Sequence, residues 1–164
     1  MSLVASAIAT GIGATLLMDL WGFALKRAFG VRSLDYAMVG RWIGHMPRGR
    51  FVQPNIGAAP RVASERVIGW LAHYVIGIIF AALFLLAWGE DWLDHPSPLP
   101  AIAAGVLTVA APFFVMQPCL GLGVAASKTP KPGVARLRSV ATHAVFGLGL
   151  YAAALGAWAL RMHA

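Results

Sequence analysis

Residues 66–88 have the sequence RVIGWLAHYVIGIIFAALFLLAW, and residues 136–158 have the sequence RLRSVATHAVFGLGLYAAALGAW. The two segments share eight identities at a constant offset of 70 residues: Arg66/Arg136, His73/His143, Val75/Val145, Gly77/Gly147, Ala82/Ala152, Leu85/Leu155, Ala87/Ala157 and Trp88/Trp158. Alanine and leucine often coincide by chance in apolar segments, whereas a histidine inside lipid is costly and therefore informative. The repeat indicates two related helices that carry a histidine at the same depth.

The composition indicates an integral membrane protein. Of the 164 residues, 59% are hydrophobic and only 12% are charged, and a helix needs roughly 20 apolar residues to cross a bilayer. Four segments have this length, so we predict an all-α, integral membrane four-helix bundle that forms a single membrane domain, residues 1–164. The predicted spans are approximately residues 3–25, 67–88, 99–123 and 139–160.

The basic residues are distributed unevenly over the connections between these spans. Twelve of the thirteen Lys and Arg residues lie between the first and second spans or between the third and fourth. The connection between the second and third spans instead carries Glu90, Asp91 and Asp94 and no Lys or Arg. Because cytoplasmic loops carry the excess of basic residues, both termini are expected on the outer face. The net charge of +7 is then explained by the orientation of the chain in the membrane and by contact with anionic lipid. Nucleic acid is not an expected partner.

The first connection is predicted to contain a short amphipathic helix on the cytoplasmic side. In the segment from Ser33 to Met46, one helical face carries Tyr36, Val39, Trp42, Ile43 and Met46, and Asp35, Arg41 and His45 fall elsewhere. Such a helix is expected to lie on the cytoplasmic leaflet, held by Trp42 and by basic residues near anionic lipid. A gate over an inner cavity and a docking surface for a partner protein are the alternatives.

Each predicted span contributes one polar residue to a common layer. Counted from the cytoplasmic helix ends at ~1.5 Å per residue, these residues lie about 10 Å inside. An aspartate at mid-span costs ~2.5–3.5 kcal/mol on insertion scales, so Asp19 needs a partner or a proton, and a neighbouring histidine can supply either. We therefore predict a substrate- or proton-binding site made of Asp19, His73, Gln117 and His143. The alternative is that these groups only join helices through hydrogen bonds.

Small residues indicate which helix faces pack together. In the second span, Gly69, His73 and Gly77 recur every four residues on one side of the helix. In the fourth span, His143, Gly147 and Tyr151 do the same. The packing residues predicted on these two sides are Gly69, Gly77, Gly147 and Tyr151. Because small residues let helices approach closely in membranes, the histidines are expected on packed faces and not on lipid-facing ones.

The first and third spans extend the repeat weakly, since Leu17-Met18-Asp19 can be aligned with Val115-Met116-Gln117. The chain is then predicted to consist of two pseudo-repeated helical hairpins around an axis along the membrane normal. In the third span, Pro112 and Pro118 each remove a backbone donor, so residues 116–123 are predicted to be kinked or partly unwound. A broken helix that lines a cavity and a harmless proline kink both remain open.

Several runs along the chain resemble one family of bacterial membrane proteins. The runs are Gly11-Ile-Gly-Ala-Thr-Leu-Leu-Met-Asp-Leu-Trp21, Val39-Gly-Arg-Trp42, Gly69-Trp-Leu-Ala-His-Tyr74, Pro112-Phe-Phe-Val-Met-Gln-Pro118, Ala126-Ser-Lys-Thr-Pro130, Arg136-Leu-Arg-Ser139, Thr142-His143 and Phe146-Gly147. They are similar to the family catalogued as domain of unknown function 2938. The resemblance implies a small multi-pass protein of the bacterial inner membrane, and it implies no activity and no site residue.

Three classes of function fit these features. In a small permease or small-ligand-binding protein, the polar layer would bind an unidentified ligand or ion, and a homodimer is expected because four helices enclose little volume. In a membrane redox module, His73 and His143 would ligate a haem iron. They could instead join Asp19, Met116 or Cys119 around copper or another transition metal. In the third class, the chain is a structural or accessory membrane subunit.

An enzyme is the less favoured interpretation. Ser139 precedes His143 by four residues, but a serine at a helix start more often serves as a cap than as a nucleophile.

Overall fold

The computed structural model describes residues 2–31 and 34–162. Over these residues the regular secondary structure is helical, with no strand, which confirms the all-α prediction. The α-helices of this part of the chain are α1 (Leu3–Phe29), α2 (Tyr36–His45), α3 (Glu65–Trp88), α4 (Pro98–Leu107), α5 (Gln117–Cys119) and α6 (Pro132–Met162).

In the part of the chain that the structure describes, four helical segments are long and apolar enough to cross a membrane, which supports a membrane protein. They are Leu3–Phe29, Glu65–Trp88, Pro98–Cys119 and Pro132–Leu160. Helix α1 continues past the predicted end because basic residues in a last turn interact favourably with the final carbonyls, and it stops at Gly30 with a φ of 65°. Helix α6 begins seven residues before the predicted residue 139, since Pro132 at a first turn needs no backbone donor.

The third span is not one regular helix. Helix α4 ends at Leu107, and a π-helix over Pro112–Met116 precedes the short α5. Pro112 has no N–H for the carbonyl four residues back, and the N–H of Gln117 bonds to the carbonyl of Pro112, five residues back. The irregular segment predicted for residues 116–123 therefore begins earlier, and the span ends at Cys119.

The chain divides into two compact units. The first unit comprises Met1–Ser33, Tyr74–Thr108 and Ala141–Ala164. The second unit comprises Leu34–His73 and Val109–Val140. The single membrane domain and the hairpin repeat stay predictions.

The first unit has an apolar core in which small residues bring helix backbones together. The core residues include Ala14, Ala81, Leu85, Ala101, Leu150 and Ala154. A Cβ added at Gly105 would lie 2.5 Å from the backbone nitrogen of Gly147, and one at Gly149 would lie 2.6 Å from the Cα of Ala14. Helices in membranes commonly pack in this way, because there is no hydrophobic force between them to replace close contact.

The second unit contains a main-chain contact between α2 and the start of α3. A Cβ added at Gly40 would lie 2.7 Å from the backbone nitrogen of Gly69 and would overlap the carbonyl of Glu65. Beside this crossing, the buried Arg41 donates two hydrogen bonds of 2.8 Å to the Glu65 carboxylate. The hydrogen bonds to Glu65 raise the pKa of Arg41. A bidentate pair of this kind fixes the orientation of both helices.

Helix α2 lies within the segment predicted as an amphipathic helix, although Ser33 is outside the described residues. Its buried residues are Ala37, Val39, Gly40, Arg41 and His45. Arg41 and His45, which fall outside the predicted apolar face, are thus among the buried residues of α2. The sequence pattern alone does not show that Glu65 and loop carbonyls accept hydrogen bonds from these polar side chains.

Candidate functional site

In the second unit, a loop segment lies alongside the end of the third span. The N–H of Gln53 donates to the carbonyl of Cys119 at 2.8 Å, and the N–H of Ile56 donates to the carbonyl of Leu120 at 3.2 Å. Gly121 has a φ of +85°, and its Cα lies so close to Pro54 that a side chain would overlap the Pro54 carbonyl. The loop thus supplies partners to backbone carbonyls that the broken helix leaves unpaired.

Helix α2 holds the other end of this loop segment. The guanidinium of Arg41 donates to the carbonyl of Ile56 at 3.0 Å and to those of Gly57 and Ala59 at 3.3 Å. His45, which is 2% exposed, lies with its Nε2 at 2.9 Å from the carbonyl of Pro60. Residues 53–60 are therefore held by α2 through side chains and by the end of the third span through the backbone.

Three buried polar side-chain atoms of the described residues have no hydrogen-bond partner, and all belong to the second unit. They are Nδ1 of His45, Nε2 of Gln53 and Oε1 of Gln117. Gln53 is 8% exposed and Gln117 is 7% exposed. A buried polar group without a partner costs about 1–3 kcal/mol, so such groups usually bind water or a ligand.

The proton position on His45 follows from the hydrogen bond between its Nε2 and the Pro60 carbonyl. A carbonyl oxygen only accepts, so the Nε2 that faces Pro60 carries a proton. In the neutral ring, Nδ1 is then an acceptor, as is Oε1 of Gln117, whereas Nε2 of Gln53 is a donor. The unpartnered atoms of these three residues thus include both acceptors and a donor.

His73, which was predicted as a site residue, lies in an aromatic cluster of the second unit. The hydroxyl of Tyr36 is 2.9 Å from its Nε2, and the two rings stack with centroids 4.3 Å apart. Trp70 is also in the cluster, with its ring centroid 4.6 Å from that of Tyr36. Any ligand that binds Nε2 of His73 therefore has to displace the Tyr36 hydroxyl.

Asp19 and His143 both belong to the first unit. Asp19 accepts a hydrogen bond of 3.0 Å from the hydroxyl of Tyr74. Nδ1 of His143 is 2.7 Å from the hydroxyl of Thr108, which also donates to the carbonyl of Gly105 at 2.6 Å. Because a hydroxyl has one proton, Nδ1 of His143 donates to Thr108.

The four predicted site residues are divided equally between the two units, since His73 and Gln117 belong to the second. Their convergence on one site stays a prediction. Of the predicted packing residues, Gly69 lies against the Tyr36 carbonyl, Gly77 against the Thr15 hydroxyl and Gly147 against the Ala101 carbonyl. Tyr151 packs against the core of the first unit.

Within residues 2–31 and 34–162, no group of three or more His, Cys, Asp or Glu side chains is placed to hold a metal ion. Cys119 is half-buried, and its carbonyl accepts the hydrogen bond from Gln53 described above. Met116 is the last residue of the π-helix. The haem and transition-metal hypotheses for His73, His143, Met116 and Cys119 stay predictions.

Sequence reasoning missed two of the three unpartnered residues. His45 follows the buried Arg41 by four residues, so helical spacing places both on one face of α2. The sequence does not show which part of the chain packs against that face. Gln53 lies in a segment with no regular structure, where no periodicity indicates burial. Tyr36, Tyr74 and Thr108, which bond the predicted site residues, were not identified as their partners.

A family model described as "Protein of unknown function (DUF2938)" matches residues 8–157 of the 164-residue chain. The match includes all four predicted site residues and confirms the resemblance found in the sequence. No curated protein and no solved structure is detectably similar to the chain. With most of its length matched, the chain belongs to the DUF2938 family of proteins of unknown function.

Proposed function

We propose that this chain is a multi-pass protein of the bacterial inner membrane that binds a small neutral polar solute at the broken end of its third span and passes it as a permease. The basic connections, which include all of the α2 region, face the cytoplasm in this proposal, and both termini face outward. The site then opens on the cytoplasmic side of the membrane.

One observation carries this proposal: Gln117 is buried directly after the π-helix, and its side-chain oxygen has no hydrogen-bond partner. Irregular backbone at membrane depth is tolerated where it is buried in protein or lines a cavity, and broken helices form the substrate sites of many transporters. Single-turn π-helices also occur often at functional sites. A glutamine at this position is therefore well placed to bind a solute.

The chemistry of the second unit favours a neutral solute over an ion. Its buried arginine, Arg41, is paired with the partly buried Glu65. The unpartnered atoms of His45, Gln53 and Gln117 are an imidazole nitrogen and amide atoms, which match a ligand with both donors and acceptors, such as urea, an amide or a short polyol.

Stopped-flow light scattering of proteoliposomes tests the proposal. Wild-type vesicles exposed to a gradient of urea, acetamide or glycerol should re-swell faster than protein-free vesicles of the same lipid. The Gln117→Met variant, which keeps the side-chain volume and removes the amide, should re-swell at the protein-free rate. Thr10→Val is the matched control, because Thr10 is buried in the first unit with its hydroxyl already bonded to Ser6.

Equal rates for wild-type and protein-free vesicles with all three solutes would exclude the permease role. A wild-type rate that survives Gln117→Met would exclude Gln117 as the solute-binding residue, and the unpartnered oxygen would then be a site for a structural water.

A further inference from the structure

A surface depression of about 410 Å³ lies at the beginning of α3 in the second unit. Its lining residues are Ala37, Arg61, Val62, Ser64, Glu65 and Arg66. Two of them are arginines, which present several N–H donors in a planar arrangement that suits phosphate oxygens. None of the three residues with unpartnered side-chain atoms, His45, Gln53 and Gln117, lines the depression.

The acidic residue in this depression, Glu65, forms its ion pair with Arg41 and not with either of the lining arginines. Both carboxylate oxygens of Glu65 accept hydrogen bonds from Arg41, and Oε2 also accepts one from the N–H of Val62. The charge of Glu65 is therefore matched by Arg41, which does not line the depression. Arg61 and Arg66 leave a local excess of two positive charges.

The helix surface that follows the depression is apolar and exposed. Val67 is 67% exposed, Trp70 is 40% exposed and Leu71 is 65% exposed. Trp70 and Leu71 follow Val67 by three and four residues, so the three side chains share one side of α3 in the turns that follow Arg66. A ligand that meets both features needs an anionic head and a hydrocarbon body.

We propose that the depression between Arg61 and Arg66 binds the phosphate of an anionic phospholipid, whose acyl chains lie along Val67, Trp70 and Leu71. Basic sites on the cytoplasmic side of membrane helices recognise anionic headgroups through this combination of charge and apolar contact. A soluble phosphate would satisfy the arginines but would leave the apolar surface uncovered. This lipid site goes beyond the proposed solute permeation and does not depend on it.

Native mass spectrometry of the detergent-purified chain tests the lipid site. Phosphatidylglycerol should bind in a saturable manner, and phosphatidylcholine with the same acyl chains should bind more weakly. The Arg61→Gln, Arg66→Gln variant should bind phosphatidylglycerol roughly thirtyfold more weakly than wild type. The matched control is Arg48→Gln, Arg50→Gln, which removes the same charge from exposed positions of the same connection and should keep the wild-type affinity.

A third variant guards against misfolding of the glutamine variant. Arg61→Lys, Arg66→Lys keeps both charges and should retain phosphatidylglycerol binding above that of the glutamine variant. Equal losses in the two glutamine variants would show general charge attraction and would overturn the proposal. Full displacement of the lipid by an excess of inorganic phosphate would show a soluble-anion site and would overturn it as well.

Discussion

The two units of this chain provide hydrogen-bond partners for their backbone groups in different ways. In the first unit, regular helices satisfy their own backbone groups, and glycines such as Gly105 and Gly147 bring those helices into direct contact. In the second unit, the third span is interrupted, and loop residues such as Gln53 and Ile56 supply the partners of its exposed carbonyls. The first arrangement leaves little room between helices, whereas the second needs long-range partners.

The difference extends to the buried side chains. In the first unit, buried hydroxyls such as those of Thr10 and Thr15 bond to carbonyls of their own helix. In the second unit, Gln53 and Gln117 are buried with atoms that have no partner. Because each such atom lowers stability, a region that keeps several of them is expected to serve binding more than rigidity. The following predictions test this contrast.

The largest effect is expected from closing the glycine contacts of the first unit. In Gly147→Leu, the Cβ would lie 2.6 Å from the Cα of Ile102, so α4 and α6 must separate. We expect a loss of about 3 kcal/mol or more in the free energy of unfolding, measured by denaturation in mixed micelles. Gly156→Leu, on the same helix, has no atom within 4 Å of its added Cβ and should leave the unfolding free energy near wild type.

A smaller effect, confined to the second unit, is expected from Arg41→Lys. Lysine cannot bond both oxygens of Glu65 and the carbonyl of Ile56 at once, so α2 and the following loop should open more often. Trypsin should then cleave after Arg48 and Arg50 on the order of tenfold faster, measured by mass spectrometry of the fragments. An unchanged cleavage rate, equal to that of an Arg138→Lys control, would argue against the clamp.

Removing a buried polar group should raise the stability of the protein in the second unit and should not raise it in the first. Gln117→Met removes the unpartnered oxygen Oε1, so it should stabilise the protein by about 1 kcal/mol. Thr10→Val in the first unit removes a hydroxyl that is already bonded, so it should not stabilise. Thermal unfolding in detergent, without added solute, measures both. A destabilised Gln117→Met variant would mean that the amide has a partner in the free protein.

The smallest effect is expected at the hydrogen bond between Thr108 and His143. Thr108→Val removes the acceptor of the His143 Nδ1 proton, and hydrogen bonds between membrane helices are worth about 0.6 kcal/mol on average. A double-mutant cycle with His143→Ala should give a coupling energy of this size. A coupling energy near zero would show that the two side chains do not interact in the membrane.

Hydropathy was sufficient to predict the four apolar segments of the described chain, because each carries enough apolar residues to be recognised without tertiary information. It could not predict the ends of α1 and α6, since charged residues such as Lys26 and Arg136 continue these helices beyond the apolar segments. Depth counting selected Gln117, which is buried in the structure, and its role in a site stays a prediction. It could not identify Gln53, whose burial depends on pairing with Cys119, 66 residues away. Similarly, the Arg41–Glu65 pair joins residues 24 positions apart, and no local pattern encodes that distance.

Thiol labelling in vesicles of known orientation gives the most direct test of a solute site that opens toward the cytoplasm. The chain has one cysteine, Cys119, which lies two residues after Gln117 and is half-buried. A membrane-impermeant maleimide should label Cys119 in inside-out vesicles and not in right-side-out ones. In a Cys119→Ser background, a cysteine in place of the fully buried Ala154 of the first unit should remain unlabelled from both sides. Labelling of Cys119 from the outer face, or from neither face, would contradict the proposed site.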